Sequence, residues 1–175
     1  MSGKPKLIIS VIHFDLGALA AALKLTEEQV QAALRDGRGA WPFSELWGER
    51  LFEFVKHANS NQPTSDGAVA LEQLRNVNVS IKALTSAGVK FQQSKFVGSN
   101  RKGTRADLVA SVEACDRAIV VDITEFPSVR FIPIDGTRLV SAVHTGALSL
   151  NGWKKAKLYN WLNEIYDVTE AELAI

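Results

Sequence analysis

The stretch Ala118–Ile123 (AIVVDI) constrains this chain most, because six consecutive positions of strand length hold apolar residues broken only by one aspartate. Such a run is stable as a strand only where both of its faces are covered, in the middle of a sheet with helices on either side. Val77-Asn78-Val79-Ser80-Ile81 behaves differently. There apolar and polar residues alternate, so one face meets a core and the other carries Asn78, Ser80 and Lys82. Ala68-Val69-Ala70-Leu71 and Val129–Ile134 read as two further strands, the second set off by Pro127.

Around these strands the period is helical. From Asp15 onward, Leu16, Leu19, Ala20 and Leu23 share a face; Thr26 is suited to cap a second helix, with Glu27 and Glu28 in its first turn and Val30, Ala33 and Leu34 inward until Gly37. A third helix follows Pro42, with the apolar stripe Trp47, Leu51, Phe54, Val55 and Ala58. Thr104 with Asp107 forms a capping box ahead of Leu108, Val109 and Val112. Thr137–Thr145 and Trp153–Tyr166 close the chain as helices, while Leu7–Phe14 fits either a short strand or the start of an apolar helix. The expectation is one α/β domain with a mixed central sheet flanked by helices. It comprises a helical N-terminal part (1–40), a core (41–135) and C-terminal helices (136–175). With 175 residues, 46% of them hydrophobic, the chain is long enough to bury a real core.

Several functions are excluded cheaply. Cys115 is the single cysteine, which rules out an internal disulfide and a cysteine-rich zinc site. His13, His57 and His144 show no close ligand spacing. Leu7–Ile12 is too short for a membrane span or a signal segment, so a cytoplasmic protein with no membrane partner is expected. Gly98–Gly103 (GSNRKG) has its lysine before the second glycine and fails as a phosphate loop; a GxSxG elbow and a dinucleotide fingerprint are absent.

Chemistry concentrates between Glu45 and Arg105. Asp66 stands at a loop-to-strand junction before Gly67, and Ser80-Ile81-Lys82 ends the following strand. If the two strands pair as a hairpin, a carboxylate and an ammonium group share a face, an arrangement suited to metal-assisted phosphodiester hydrolysis. Charge is segregated as well. Although 20 Lys+Arg face 19 Asp+Glu overall, the span Gln73–Ala106 holds seven basic residues and no acid. Lys90, Lys95, Arg101, Lys102 and Arg105 suit phosphates, and Gln92, Gln93 and Asn100 suit base edges.

SDG, a strand, SIK, a helix and the strand AIVVDI together resemble the PD-(D/E)XK nuclease superfamily, closest to type II restriction endonucleases with an S-x-K motif. The resemblance implies a restriction endonuclease-like sheet, Mg²⁺ as cofactor, double-stranded DNA as substrate and commonly a homodimer. It assigns metal binding to Asp66 and catalysis to Lys82. Ser80 occupies the position where a second acid is usual, and serine is a poor Mg²⁺ ligand. Members with this replacement recruit an acid from elsewhere, so Glu49 is the preferred second metal ligand, with Glu45 and Glu113 as alternatives. The expected function is a Mg²⁺-dependent, sequence-specific endonuclease of restriction-modification type.

Plainer readings stand beside it. Asp66-Gly67 also fits an ordinary turn, Lys82 a solvated strand end, and Glu45, Glu49 and Glu53 a solvent-facing helix stripe. Asp122 inside a buried strand needs a partner and reads best as a salt bridge or cap. The alternative function is a non-catalytic DNA-binding protein in which Leu16–Leu34 forms a helix-turn-helix-like reader using Gln29 and Gln31. A third is a partner domain whose basic stretch meets an acidic protein.

Overall fold

A computed structural model describes residues 3–35, 42–52, 55–56, 67–70, 76–93 and 103–174. In chain order the elements are β1 (Lys6–His13), α1 (Leu16–Leu23), α2 (Glu27–Arg35), a π-helical turn (Pro42–Leu46) running into α3 (Trp47–Phe52), β2 (Val55–Lys56), β3 (Gly67–Ala70), β4 (Asn76–Leu84), α4 (Arg105–Glu113), β5 (Arg117–Asp122), β6 (Ser128–Asp135), α5 (Gly136–His144), α6 (Lys155–Ile165) and β7 (Asp167–Glu172). The strands form one mixed sheet in the order β2-β3-β4-β5-β6-β1-β7. β4 and β5 are parallel, joined through α4, and β1 and β7 are parallel; every other neighbouring pair is antiparallel.

β5 is central and explains its own composition. Ile119 and Val121 point into a core with Ile12, Val79, Ile81, Val129 and Phe131, closed by Ala20 of α1, Val30 of α2 and Phe43 of the π-helical turn. Ala118 and Val120 point the other way, into a core with Leu7, Ile9, Val11, Ile132 and Ile134 under α4, α5 and α6. Burying each large aliphatic side chain contributes about 1.5–3 kcal/mol, so a strand feeding two cores tolerates almost no polar residue. Trp153 and Trp161 belong to the second core.

Local signals hold where side chains reach their own backbone. Thr104 and Asp107 form the reciprocal capping box that opens α4, and Thr26 caps α2 while Gln29 returns a bond to its N–H. Gly152 (φ +69°) lets residues 151–154 dock on the loop after β4: any Cβ there would lie 1.9 Å from the Val89 carbonyl, which accepts from Trp153 N–H at 3.0 Å.

Three expectations need correction. Leu7–Phe14, left open between strand and helix, is mainly β1, so the N-terminal part is not purely helical. The helix expected through Ala58 does not include Val55, which instead pairs with Ala68 in β2, because sheet pairing overrides a helical apolar stripe; Phe54 and Ala58 lie outside the described residues. The chain closes on β7, not on helix: DVTEAE is an edge strand with little buried surface and hence no apolar alternation to read. Among the described residues no helix is long and apolar enough to cross a membrane.

Candidate functional site

Lys82 lies beside Val120 in the parallel β4–β5 ladder, and Ser80 beside Ala118. Val120 and Ala118 belong to the core under α4, α5 and α6, so Ser80 and Lys82 face that layer while Val79 and Ile81 face the opposite one. The Lys82 side chain is half-buried, and among the described residues it has no hydrogen bond or ion pair. β3 and β4 pair antiparallel with Gly67 opposite Val79. Asp66 itself lies outside the described residues, as do Lys95, Asn100, Arg101, Lys102 and Glu53.

The acids nominated to assist Asp66 are not brought to Lys82. Glu49 on α3 and Glu45 on the π-helical turn belong to the layer that packs Phe43, Trp47, Leu51 and Phe52 against the Val79–Ile81 face, so the sheet separates them from the lysine. Glu113 is on the correct side but exposed at the far end of α4. Just beyond it, Asp116 exchanges backbone and side-chain bonds with Asn78 at 3.0 Å each. Lys82 is four positions further along β4, about 13 Å at the usual strand rise. Among the described residues no group of three or more His, Cys, Asp or Glu is arranged to hold a metal ion.

The basic stretch divides. Lys90 is exposed, whereas Gln92 is only 6% exposed, because Val89 and Phe91 fold inward and Phe91 meets Trp153 edge-on at 5.6 Å. Its amide therefore does not face solvent, contrary to its expected role at base edges. Gln93 Oε1 is also buried and has no hydrogen-bond partner among the described residues. Arg105 is exposed, and its Nη2 donates to the Val143 carbonyl near the end of α5 at 3.1 Å.

The helical hairpin α1–α2 offers little to an anionic duplex. Gln29 is bonded to Thr26, Gln31 and Arg35 donate to the Phe126 carbonyl at 3.4 and 3.0 Å, and Glu27 and Glu28 are exposed.

Sequence reasoning flagged Asp122 but missed the cluster around it. Asp122 is 1% exposed. Its Oδ1 accepts from Thr124 N–H (2.9 Å) and Thr124 Oγ1 (2.6 Å); its Oδ2 accepts from Tyr159 (2.8 Å), with Lys155 Nζ at 3.4 Å. Lys155 also binds Glu125 at 2.5 Å, and Arg130 joins Glu125 (2.7 Å) to Glu170 (2.9 Å). Burial, then the charge of Asp122, holds the Tyr159 hydroxyl far above its ordinary pKa. Hydrogen bonds from Lys155 and then Arg130 hold Glu125 below the usual carboxylate range. With its lone pairs satisfied, Asp122 is a structural anchor. The polar interruption of AIVVDI was the signal; the partners on α6, β6 and β7 are distant in sequence.

Comparison with protein-family models, with curated proteins and with solved structures gives no match in any of the three.

Proposed function

We propose that this chain is a metal-dependent DNA endonuclease of the restriction type in which Asp66 and Lys82 form the centre of the site. One observation supports the reading: the segments that follow the SDG sequence run as strand, strand carrying SIK, helix and apolar strand, namely β3, β4, α4 and β5. In it β3 pairs with β4 and Lys82 is half-buried without a partner among the described residues. An ammonium group in that setting is disposed to meet an anion, and a phosphodiester is the anion the adjoining acid-free stretch favours.

In this reading Lys82 holds a phosphate oxygen and stabilises the charge that develops as the bond breaks. Ser80, on the same face, contributes a hydroxyl and not a carboxylate. Mg²⁺ held by Asp66 would supply charge neutralisation and a more acidic bound water. The described residues alone do not compose its ligand set, and Glu49 is not part of the proposal. Lys90 with Lys95, Asn100, Arg101 and Lys102 would contact the backbone of double-stranded DNA, and a homodimer is the assembly the family resemblance favours.

The test is cleavage of mixed-sequence duplex DNA by the purified chain with Mg²⁺, beside Asp66→Ala and Lys82→Ala. The expected outcome is activity in the native chain and its loss in both variants. Undiminished cleavage in both variants, or no cleavage by the native chain, removes the assignment. Salt-sensitive binding that survives both substitutions and needs no metal would instead favour the non-catalytic reading.

A further inference from the structure

Every side chain of α1 (LGALAAAL) is apolar, yet Ala20 is the one residue of this helix that is buried. A helix apolar all round is ordinarily enclosed by protein. Its inner side sets Leu16, Leu19 and Ala20 against the core that holds Ile119 and Val121. Gly17, Ala18, Ala21, Ala22 and Leu23 are exposed, and so is Leu25 in the turn that follows. Leu23, which its spacing placed inward, is 55% exposed, and Leu25 is 43% exposed. Ala18, Ala21 and Ala22 share one face at helical spacing, and the two leucines extend the apolar surface around the turn.

The two ends of this face carry opposite charge. Lys24 stands at the C-terminal end, exposed and in a left-handed conformation (φ +54°). At the other end stands Asp15, whose carboxylate accepts from Ala18 N–H at 2.8 Å. Glu27 of α2 joins it there: a Cβ on Gly17 would lie 3.5 Å from the Asp15 carboxylate and 3.6 Å from that of Glu27. From Gly17 to Lys24 the helical rise amounts to about 10 Å. A face with acid at one end, an amine at the other and alanine and leucine between is complementary to itself turned through half a revolution. When two such helices lie antiparallel, each Lys24 meets the Glu27 of the other copy and the helix dipoles oppose. A uniformly basic or acidic partner would match only one end. We infer that this face binds a second copy of the chain across a two-fold axis, α1 against α1. It names an interface for the homodimer without resting on the nuclease reading, since neither Lys82 nor Asp66 belongs to it.

Sedimentation equilibrium of the full chain, without DNA or metal, tests this. The face is small, so a dimer with a micromolar dissociation constant is expected. Ala21→Glu puts an unpaired carboxylate at the centre of the face and should weaken association roughly tenfold or more. Because Ala21 is exposed, the urea midpoint of dilute, monomeric protein should stay unchanged. Lys24→Glu and Glu27→Lys should each weaken the dimer. The double reversal should restore it to within a few fold of native, because the two-fold again brings opposite charges together. A native chain that stays monomeric at about 100 μM, a dimer untouched by Ala21→Glu, or a double reversal no tighter than the single ones overturns the inference. So does a monomer that binds phosphatidylcholine vesicles and loses them in Ala21→Glu, which would assign the face to a lipid surface. Failure of association leaves the DNA-cleavage assignment untouched, and the reverse also holds.

Discussion

Lys82 and Asp122 stand on neighbouring parallel strands, two register positions apart, and both side chains face the same helical layer. Asp122 is saturated by Thr124, Tyr159 and Lys155. Lys82 is half-buried and, among the described residues, has no bonding partner. A buried charge with every lone pair engaged is committed to the fold, whereas a cation left partly desolvated without a counter-charge is available to something outside it. Position in the sheet does not separate the two groups; their partners do.

The largest expected effect falls on the available side of this contrast. Lys82→Met should lower DNA cleavage by on the order of 10²–10³-fold, the usual loss when one charge-stabilising donor is removed. Its stability should stay within about 0.5 kcal/mol of the native chain. Initial cleavage rates and a urea transition measured on one preparation check both halves, and a large stability loss would make Lys82 structural after all. Asp122→Ala should do the reverse, destabilising by about 2–4 kcal/mol because the Thr124 and Tyr159 hydroxyls lose their buried acceptor and Lys155 keeps only Glu125 as a counter-charge. A urea midpoint little changed from the native one would erase the distinction between the two sites.

Smaller effects sharpen the picture of the saturated cluster. Tyr159→Phe removes one hydrogen bond to a carboxylate and should cost about 1.5–3 kcal/mol at neutral pH. The pH dependence follows from the direction of the shift. Burial and Asp122 raise the folded pKa of Tyr159 above its unfolded value near 10, so its contribution is complete below about pH 10 and declines at higher pH. Tyr159→Phe should therefore flatten the alkaline limb of the stability profile. The smallest effect belongs to Glu125, whose side chain is 54% exposed. Its lowered pKa means that its contribution is present above the ordinary carboxylate range and lost as pH falls through the folded value. Glu125→Gln should cost no more than about 1 kcal/mol at neutral pH and less in high salt, read from urea transitions at two ionic strengths.

What was legible in the chain followed the range of each interaction. Side-chain alternation placed Ser80 and Lys82 together, because neighbouring strand residues point to opposite faces whatever surrounds them. The Thr104–Asp107 box closes within a single turn of chain, with only two residues between its members. Glu49 shows the converse: a helix that precedes a sheet can pack on either of its faces, and nothing in WGERLF states which. Gln92 likewise reads as a surface amide until Phe91 finds Trp153, 62 positions away.

By itself the sequence determined the strand character of 77–81, 118–122 and 129–134, the capped start of α4 and the requirement that Asp122 find a partner, since each follows from local backbone geometry or from desolvation. The tertiary structure alone decided that β1 and β7 complete the sheet, that Val55 and Lys56 pair as β2, which acids lie across the sheet from Lys82, and that Lys155 and Tyr159 are the partners of Asp122. Those outcomes depend on which surfaces meet, and contacts between distant segments are set by the packing of whole layers, which no local window of residues encodes.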